Sequence, residues 1–437
     1  METLRFDLNG PGRPLKVLNA TNGGPWHKRH EGDQKRSNLD AYCAARFSYS
    51  RNHDSAAHSI YGGPYSYDIS CIFPDFDADP DDPASYDFAC TDESILICLE
   101  AGTQTFFRLG QTIEHQIRKH ATLPPRDVHK WALICEHIIR HYNEGWADGF
   151  NLGIRYWEIW NEPDLDPENA PSKRTWGGTF AQFLDLYETA AKHLKARFPE
   201  LMIGGPSLAH NMDWAEAFLA AMRERGVPID FFSWHIYCSE PASMARKARQ
   251  IRRMLDDHGY TRTQSILDEW NYIKDWIDEF TYSLTVIHGA KGAAFTAACM
   301  CAAQNTPIDM LMYYATIPHV FNGVFDYYTY EPLHGYYPFL WFGELSASGL
   351  EFPAAEQPEG VYSLCCVDGC GRVTAMIACY TDSDDAPERE LYIDFGKKGI
   401  YEVYLTDRVH RGELTAVTDT LTLHVPAQSV ILIKERE

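Results

Sequence analysis

Two glutamates stand in settings where a carboxyl group could do chemistry: Glu162 in "RYWEIWNEPDL" and Glu269 in "ILDEWNY". Each closes an aromatic and aliphatic run that reads as a β-strand. Glu162 sits between Trp160-Asn161 and Pro163; Glu269 sits between Asp268 and Trp270-Asn271. Two carboxyls facing one another can cleave an acetal, one protonating the leaving oxygen while the other attacks the carbon or activates water. An aromatic wall can raise a carboxyl pKa and stack on a sugar ring. Glutamates at strand ends are also common as solvent-facing residues, but two in matching settings argue for function.

Such a pair needs a scaffold that brings distant strand ends together. Apolar strand-like segments occur at 16–22, 45–53, 104–110, 155–162, 201–207, 230–237, 264–270 and 309–315. Between them lie amphipathic stretches such as "DVHKWALICEHIIRHYNEGW", "FAQFLDLYETAAKHLKARF" and "WAEAFLAAMRERG", with apolar residues three and four apart. Eight strands alternating with helices predict an α/β fold, a (β/α)8 TIM barrel over 16–350 whose site lies at the C-terminal strand ends. Strands four and seven, which carry Glu162 and Glu269, then face one another across the mouth. Past residue 350 the pattern changes to short alternating strands with no helical period, which predicts a C-terminal antiparallel β-sandwich over 351–437. Within residues 1–15, "LRFDL" is expected to add a strand to that sandwich.

The long connection at 54–88, rich in aromatics, is expected to be a lid or pocket wall. Its acidic run "DFDADPDD" lacks the glycine-hinged spacing of a calcium loop and reads as a solvated turn. Twelve scattered cysteines, several inside apolar runs, read as reduced thiols. Cys299/Cys301 and Cys365/Cys366/Cys370 lack the spacing of a zinc site, so no structural metal is expected there; acetal cleavage by two carboxyls needs no metal or organic cofactor. With a net charge of −22 and 45% hydrophobic residues, the chain would be repelled by nucleic acid and anionic membranes. No run approaches the roughly 18 apolar residues of a membrane span, and the N-terminus has no signal-peptide core. A cytoplasmic location is therefore expected, with a homo-oligomer left open.

"RYWEIWNEPDL", with "IIRHYNEGW" upstream, "IDFFSWHIY" at strand six and "DEWN" at strand seven, resembles glycoside hydrolase family 39 of clan A. That family includes β-xylosidases and α-L-iduronidases, with a barrel and an attached β-sandwich. "LDEWN" is also similar to the nucleophile strand of family 51 α-L-arabinofuranosidases. The resemblance implies Glu162 as general acid/base and Glu269 as nucleophile of a retaining O-glycoside hydrolase. It also implies that Asn161 bonds the sugar 2-hydroxyl, that His235 touches the acid/base region, and that Tyr237 bonds the nucleophile. Arg51 and His53 match the strand-two pair near the nucleophile and the glycone; Asp54 and Arg108 are further candidates. Independently of family, Arg51 and the Tyr237 hydroxyl would keep Glu269 ionised, while a less solvated Glu162 would hold its proton until needed.

Two departures bear on the sugar. The stretch "YYATIPHVFNGVFDYY" after strand eight lacks the adjacent glutamates that grip the glycone in family β-xylosidases, and strand three reads "FFRLG" where they tend to have a glutamate. The glycone pocket is thus expected to be built differently, with Trp26, Trp270, Tyr314 and His319 as candidates. The expected activity is retaining, exo-acting hydrolysis of short oligosaccharides or glycosides with a pentose glycone, arabinose or xylose. Alternatives are a hexose or uronic-acid glycone, the latter needing cations such as Lys28, Arg29, Arg51 and Arg108; a transglycosidase; and a catalytically silent carbohydrate-binding barrel.

Overall fold

A computed structural model describes residues 1–26, 37–53, 65–317 and 319–436. The chain opens with β1 (Glu2–Phe6). Eight parallel strands then close a barrel: β2 (Val17–Asn22), β3 (Tyr49–Arg51), β4 (Gln104–Leu109), β5 (Tyr156–Ile159), β6 (Met202–Leu208), β7 (Phe231–Cys238), β8 (Gln264–Tyr272) and β9 (Met310–Tyr313), with β9 pairing back onto β2. They fall on the eight segments read from the sequence.

Alternation along these strands builds the site from below. Successive side chains point to opposite faces, so residues two apart share the barrel interior. At its base lie Ala20, Phe106, Tyr156, Phe231, Ile266 and Met310. Two residues further along the same strands stand Asn22, Arg108, Glu158, Ser233, Asp268 and Met312, all fully buried. The second layer is thus largely polar, and buried charges are tolerable only where they pair. The intervening residues, such as Phe107, Trp157 and Ile159, face outward into the core shared with the helices.

Three of those helices begin where a side chain satisfies otherwise unpaired amides. Asp127 accepts from His129 and Lys130 to start Val128–Glu144. Thr179 and Gln182 form a reciprocal capping box on Phe180–Arg197. Asn211 accepts from Trp214 at the start of Met212–Glu224.

The remaining strands are β10 (Leu350–Glu351), β11 (Ala354–Glu356), β12 (Val361–Val367), β13 (Val373–Cys379), β14 (Arg389–Asp394), β15 (Tyr401–Thr406), β16 (Arg411–Thr418), β17 (Thr422–Val425) and β18 (Ser429–Glu435). They form sheets of order β11-β1-β14-β17 and β10-β12-β13-β18-β15-β16. β1 runs antiparallel to β11 and parallel to β14. Strand β16 is an edge strand with mostly exposed side chains, which left no apolar alternation to read. Between β17 and β18 the chain turns at Gln428, whose φ is +58°.

The sandwich grips the barrel where the site is built. The helix Ala290–Ala303 is buried along nearly its whole length, and its Phe295 packs edge-on against Tyr380. Its Lys291 pairs with Asp382 and Asp384. The Tyr272 hydroxyl, at the end of β8, donates to Asp382, and the Tyr380 hydroxyl donates to the Ser239 carbonyl just past β7. Among the described residues no single helix is long and apolar enough to cross a membrane.

Candidate active site

Glu162 is presented by a kink. Strand β5 stops at Ile159, and both Trp160 (φ +76°) and Glu162 (φ +49°) adopt left-handed backbone, which costs non-glycine residues energy and persists only where neighbours enforce it. The Trp160 amide donates to the Leu109 carbonyl at 2.7 Å and its indole to the Thr175 carbonyl at 2.9 Å. The Glu162 amide donates to the Ser207 carbonyl at 2.9 Å, while Thr175 Oγ1 donates to the Glu162 carbonyl at 2.5 Å. Two residues on, the Asp164 carboxylate accepts from the amides of Ala209, His210 and Asn211, tying this loop to the end of β6.

Glu269 is presented by a bulge. Trp234 pairs with Leu267 but His235 pairs with Glu269, so β8 carries one extra residue. The irregularity lets consecutive residues, Asp268 and Glu269, both reach Arg51, which simple alternation forbids. Arg51 is fully buried and is the hub of the site. Its Nε lies 2.7 Å from Glu158 Oε2 and 3.2 Å from Asp268 Oδ2. Its Nη1 donates to Glu269 Oε1 at 2.7 Å and to Asn22 Oδ1 at 3.0 Å; its Nη2 donates to Asn161 Oδ1 at 2.6 Å and to Ser207 Oγ at 2.9 Å.

The other side chains close the network. Tyr237 donates to Glu269 Oε2 at 2.9 Å. His235 Nδ1 stands 2.8 Å from Glu162 Oε1 and its Nε2 2.6 Å from Ser207 Oγ. Ser207 in turn donates to Asp268 Oδ2 at 2.8 Å. One ligand-capable atom from each of Glu162, His235 and Glu269 lies within 4.8 Å of the others.

The electrostatics follow from six ionisable groups, Arg51, Glu158, Glu162, His235, Asp268 and Glu269, sharing one largely buried space. Burial would push the His235 pKa down, but Glu269 and Asp268, with its hydrogen bonds to Asp268 and Glu162, hold it well above the usual histidine value. Burial pushes Glu269 up to about 7 against the pull of His235 and Arg51. Glu158 is pushed up to about 8 by burial and the neighbouring Asp268. Asp268, drawn down by Arg51 and His235 against its own burial, lies at about 2. The expectation that Arg51 and the Tyr237 hydroxyl keep Glu269 ionised is therefore corrected: burial outweighs the pull of Arg51 and His235 and raises the pKa. The relative solvation is also reversed, the Glu162 side chain being 15% exposed and that of Glu269 7%.

The remaining expected residues divide. Arg108 donates to His53 Nδ1 at 3.1 Å and to Asp68 at 2.6 Å, while burial and the nearby Arg51 and Arg108 keep His53 well below its usual pKa. The pair sits on the polar layer beside Arg51, and Arg108 Nη1 makes no hydrogen bond among the described residues. Tyr314 and His319 pack together at 5.2 Å, and Tyr314 lies 6.4 Å from the Tyr237 ring. His319 accepts from the Phe321 amide through Nδ1, and burial lowers its pKa to about 4, so it is neutral with its proton on Nε2. Trp270 is not a pocket residue. It points outward, 1% exposed, against Phe295 and Tyr313, because its neighbour Glu269 faces inward. Trp26 stacks on Tyr330 at 6.1 Å. Asp54, Lys28 and Arg29 lie outside the described residues.

The described part of the long connection lines a cleft of about 820 Å³ through Asp68, Phe73 and Phe76, together with Gln111, Glu114 and Trp160. The cleft meets the site at Trp160, which precedes Asn161, and at Asp68, which holds Arg108. The aspartates of the acidic run accept backbone amides two residues on, as turn residues do.

Sequence reasoning passed over Asn22, Glu158, Ser207 and Asp268. A signal existed for Glu158: a lone charge inside "YWEIW", four residues before Glu162, marks the inward face of its strand. None existed for Ser207, which reaches the site through a left-handed residue (φ +60°) after Gly205, where a side chain would collide with the Ile159 carbonyl.

Residues 66–330 match the family described as glycosyl hydrolases family 39. The chain belongs to this family. It is 30% identical to a β-xylosidase of Caldicellulosiruptor saccharolyticus over 170 residues, covering 36% of this chain and 32% of the relative. Identity to a β-xylosidase of Geobacillus stearothermophilus is 29% over 208 residues, covering 44% of this chain and 37% of the relative. The chain thus spans about a third of the length of these curated relatives. The fold is shared from end to end with a glucosidase from Croceicoccus marinus at a TM-score of 0.81, 24% identity and coverage of 100% and 99% of the two chains.

Proposed function

We propose that this family 39 protein is a retaining exo-glycosidase that removes a terminal pentose, xylose or arabinose, from short oligosaccharides or glycosides. One observation carries the mechanism: carboxylate oxygens of Glu162 and Glu269 approach within 4.8 Å. Retaining pairs stand about 5 to 5.5 Å apart, whereas inverting pairs leave about 6.5 to 9.5 Å for a water. Glu269, gripped by Arg51 and Tyr237, attacks the anomeric carbon while Glu162, held by His235, protonates the departing oxygen. The covalent glycosyl ester is then cleaved by water that gives its proton to Glu162, and Glu269 is released as the carboxylate.

The pentose is supported by the two β-xylosidases among the relatives. A uronic acid is disfavoured because Arg51 is already paired with Asp268 and Glu269, and Arg108 with Asp68. The twelve cysteines are free thiols, the state that a reducing cytoplasm maintains.

A panel of 4-nitrophenyl β-D-xyloside, α-L-arabinofuranoside, β-D-glucoside and α-L-iduronide tests the sugar, with proton NMR of the first-formed anomer testing retention. Turnover of a pentoside with retained configuration is expected. Turnover of none of them, or an inverted product, overturns the proposal.

A further inference from the structure

The rim of the site carries an aromatic residue that the chemistry above does not use. Trp276 is 52% exposed, and its neighbour Ile277 is 87% exposed. Isolated surface hydrophobics are ordinary; what distinguishes this one is how it is held. Its ring meets the Tyr237 ring edge-on at 5.2 Å and 71°, stacks on Phe280 at 5.8 Å and 21°, and contacts Phe321 at 6.2 Å. Its loop is fixed by Asp275, whose Oδ1 accepts from the amides of Ile277 and Asp278, both at 2.7 Å. Three rings behind the indole and a turn beneath it present one flat face in one orientation.

Position says what that face meets. Tyr237, on which the indole rests, donates to Glu269 at 2.9 Å, so Trp276 is one side chain removed from the attacking carboxylate. The buried layer of Arg51, Glu158 and Asp268 closes the barrel below. A sugar held between Glu162 and Glu269 must therefore direct what lies beyond the scissile bond outward, past the strand ends. Trp276 follows β8 on that outer side. We infer that Trp276 is the platform of a leaving-group subsite, taking the C–H face of the next sugar or, offset, a flat aryl aglycone by stacking. This rests on the glycosidase reading of the same site.

The experiment compares kcat/KM for a 4-nitrophenyl glycoside and for the glycosyl fluoride of the same sugar, in the unsubstituted protein and in Trp276→Ala and Trp276→Phe. Both substrates report attack by Glu269, but the fluoride has no ring to stack. The expected result is a loss in Trp276→Ala at least about tenfold greater on the aryl glycoside, carried by KM, corresponding to about 1.4 kcal/mol, with partial recovery in Trp276→Phe. Equal losses on both substrates, as from a disturbed Tyr237, would overturn the platform, and so would no loss on either. Turnover of neither substrate by the unsubstituted protein would instead overturn the glycosidase reading, and the platform with it.

Discussion

Arg51 and Glu269 meet at 2.7 Å with the guanidinium wholly removed from solvent. The same cation touches Glu158 and Asp268, so it is at once the partner of the attacking carboxylate and the counterion that permits two more carboxyls below it. Removing one member of a buried charge network leaves the others uncompensated, at a cost of about 3 to 5 kcal/mol. Arg51→Ala is expected to lose stability of that order and to lower kcat/KM by at least 10² to 10³, on the order seen when one preorganised donor is removed. Arg51→Lys should restore little, because an ammonium cannot reproduce a fork that serves six acceptors. Thermal denaturation and steady-state kinetics on the same samples check both.

Glu158 and Asp268 share Arg51 Nε, one held protonated up to about pH 8 and the other ionised down to about 2. The two signs can be separated. Because folded Glu158 keeps a proton that the unfolded chain loses near pH 4.5, the folded state binds more protons between about 4.5 and 8, and stability falls as pH rises through that window. Asp268 acts oppositely, and its contribution is lost as pH falls below about 3.8. Glu158→Gln mimics the protonated carboxyl, so the decline in Tm between pH 5 and 8 should flatten while the fold is kept. A Tm profile parallel to that of the unsubstituted protein would count against a neutral Glu158.

The nucleophile must be ionised to attack, and burial places Glu269 at about 7. The acid limb of kcat/KM is accordingly expected near neutral pH instead of near the ordinary glutamate value of about 4.3. Tyr237→Phe removes a donor to the ionised form without changing the ring that supports Trp276. Its acid limb should move to higher pH, and its maximal rate should fall, since a hydrogen bond to a charged group is worth about 1.5 to 3 kcal/mol. An unmoved limb would mean that another group controls it.

How much of this could be read from the chain depended on where periodicity survives. All eight barrel strands were legible as short apolar runs because the helices between them kept their apolar faces at three and four residue spacing. The two glutamates were legible because each ends such a run. The polar layer was less so: Glu158 and Asp268 lie within strands that look merely apolar, and nothing local shows that Arg51 joins them. Trp270 misled because Trp and Asn flank both glutamates, yet the inward Glu269 turns Trp270 into the core. The bulge that points Asp268 and Glu269 the same way, and the left-handed backbone at Trp160, Glu162 and Ser207, are set by tertiary contacts that no spacing encodes.

Retention can be separated into its two carboxyls by supplying a small anion in place of the missing group. In Glu162→Ala, an activated aryl glycoside should still form the glycosyl ester on Glu269, because its leaving group needs little protonation; turnover then stalls, with a loss of about 10² to 10⁴ from the missing acid/base. Azide, which needs no base, should attack the ester and release a glycosyl azide with the substrate's configuration after two inversions. In Glu269→Ala, azide would occupy the nucleophile's place and attack the substrate once, giving the inverted glycosyl azide. Product NMR after incubating each variant with azide distinguishes the cases. If both variants gave the same anomer, the roles of Glu162 and Glu269 could not be those proposed.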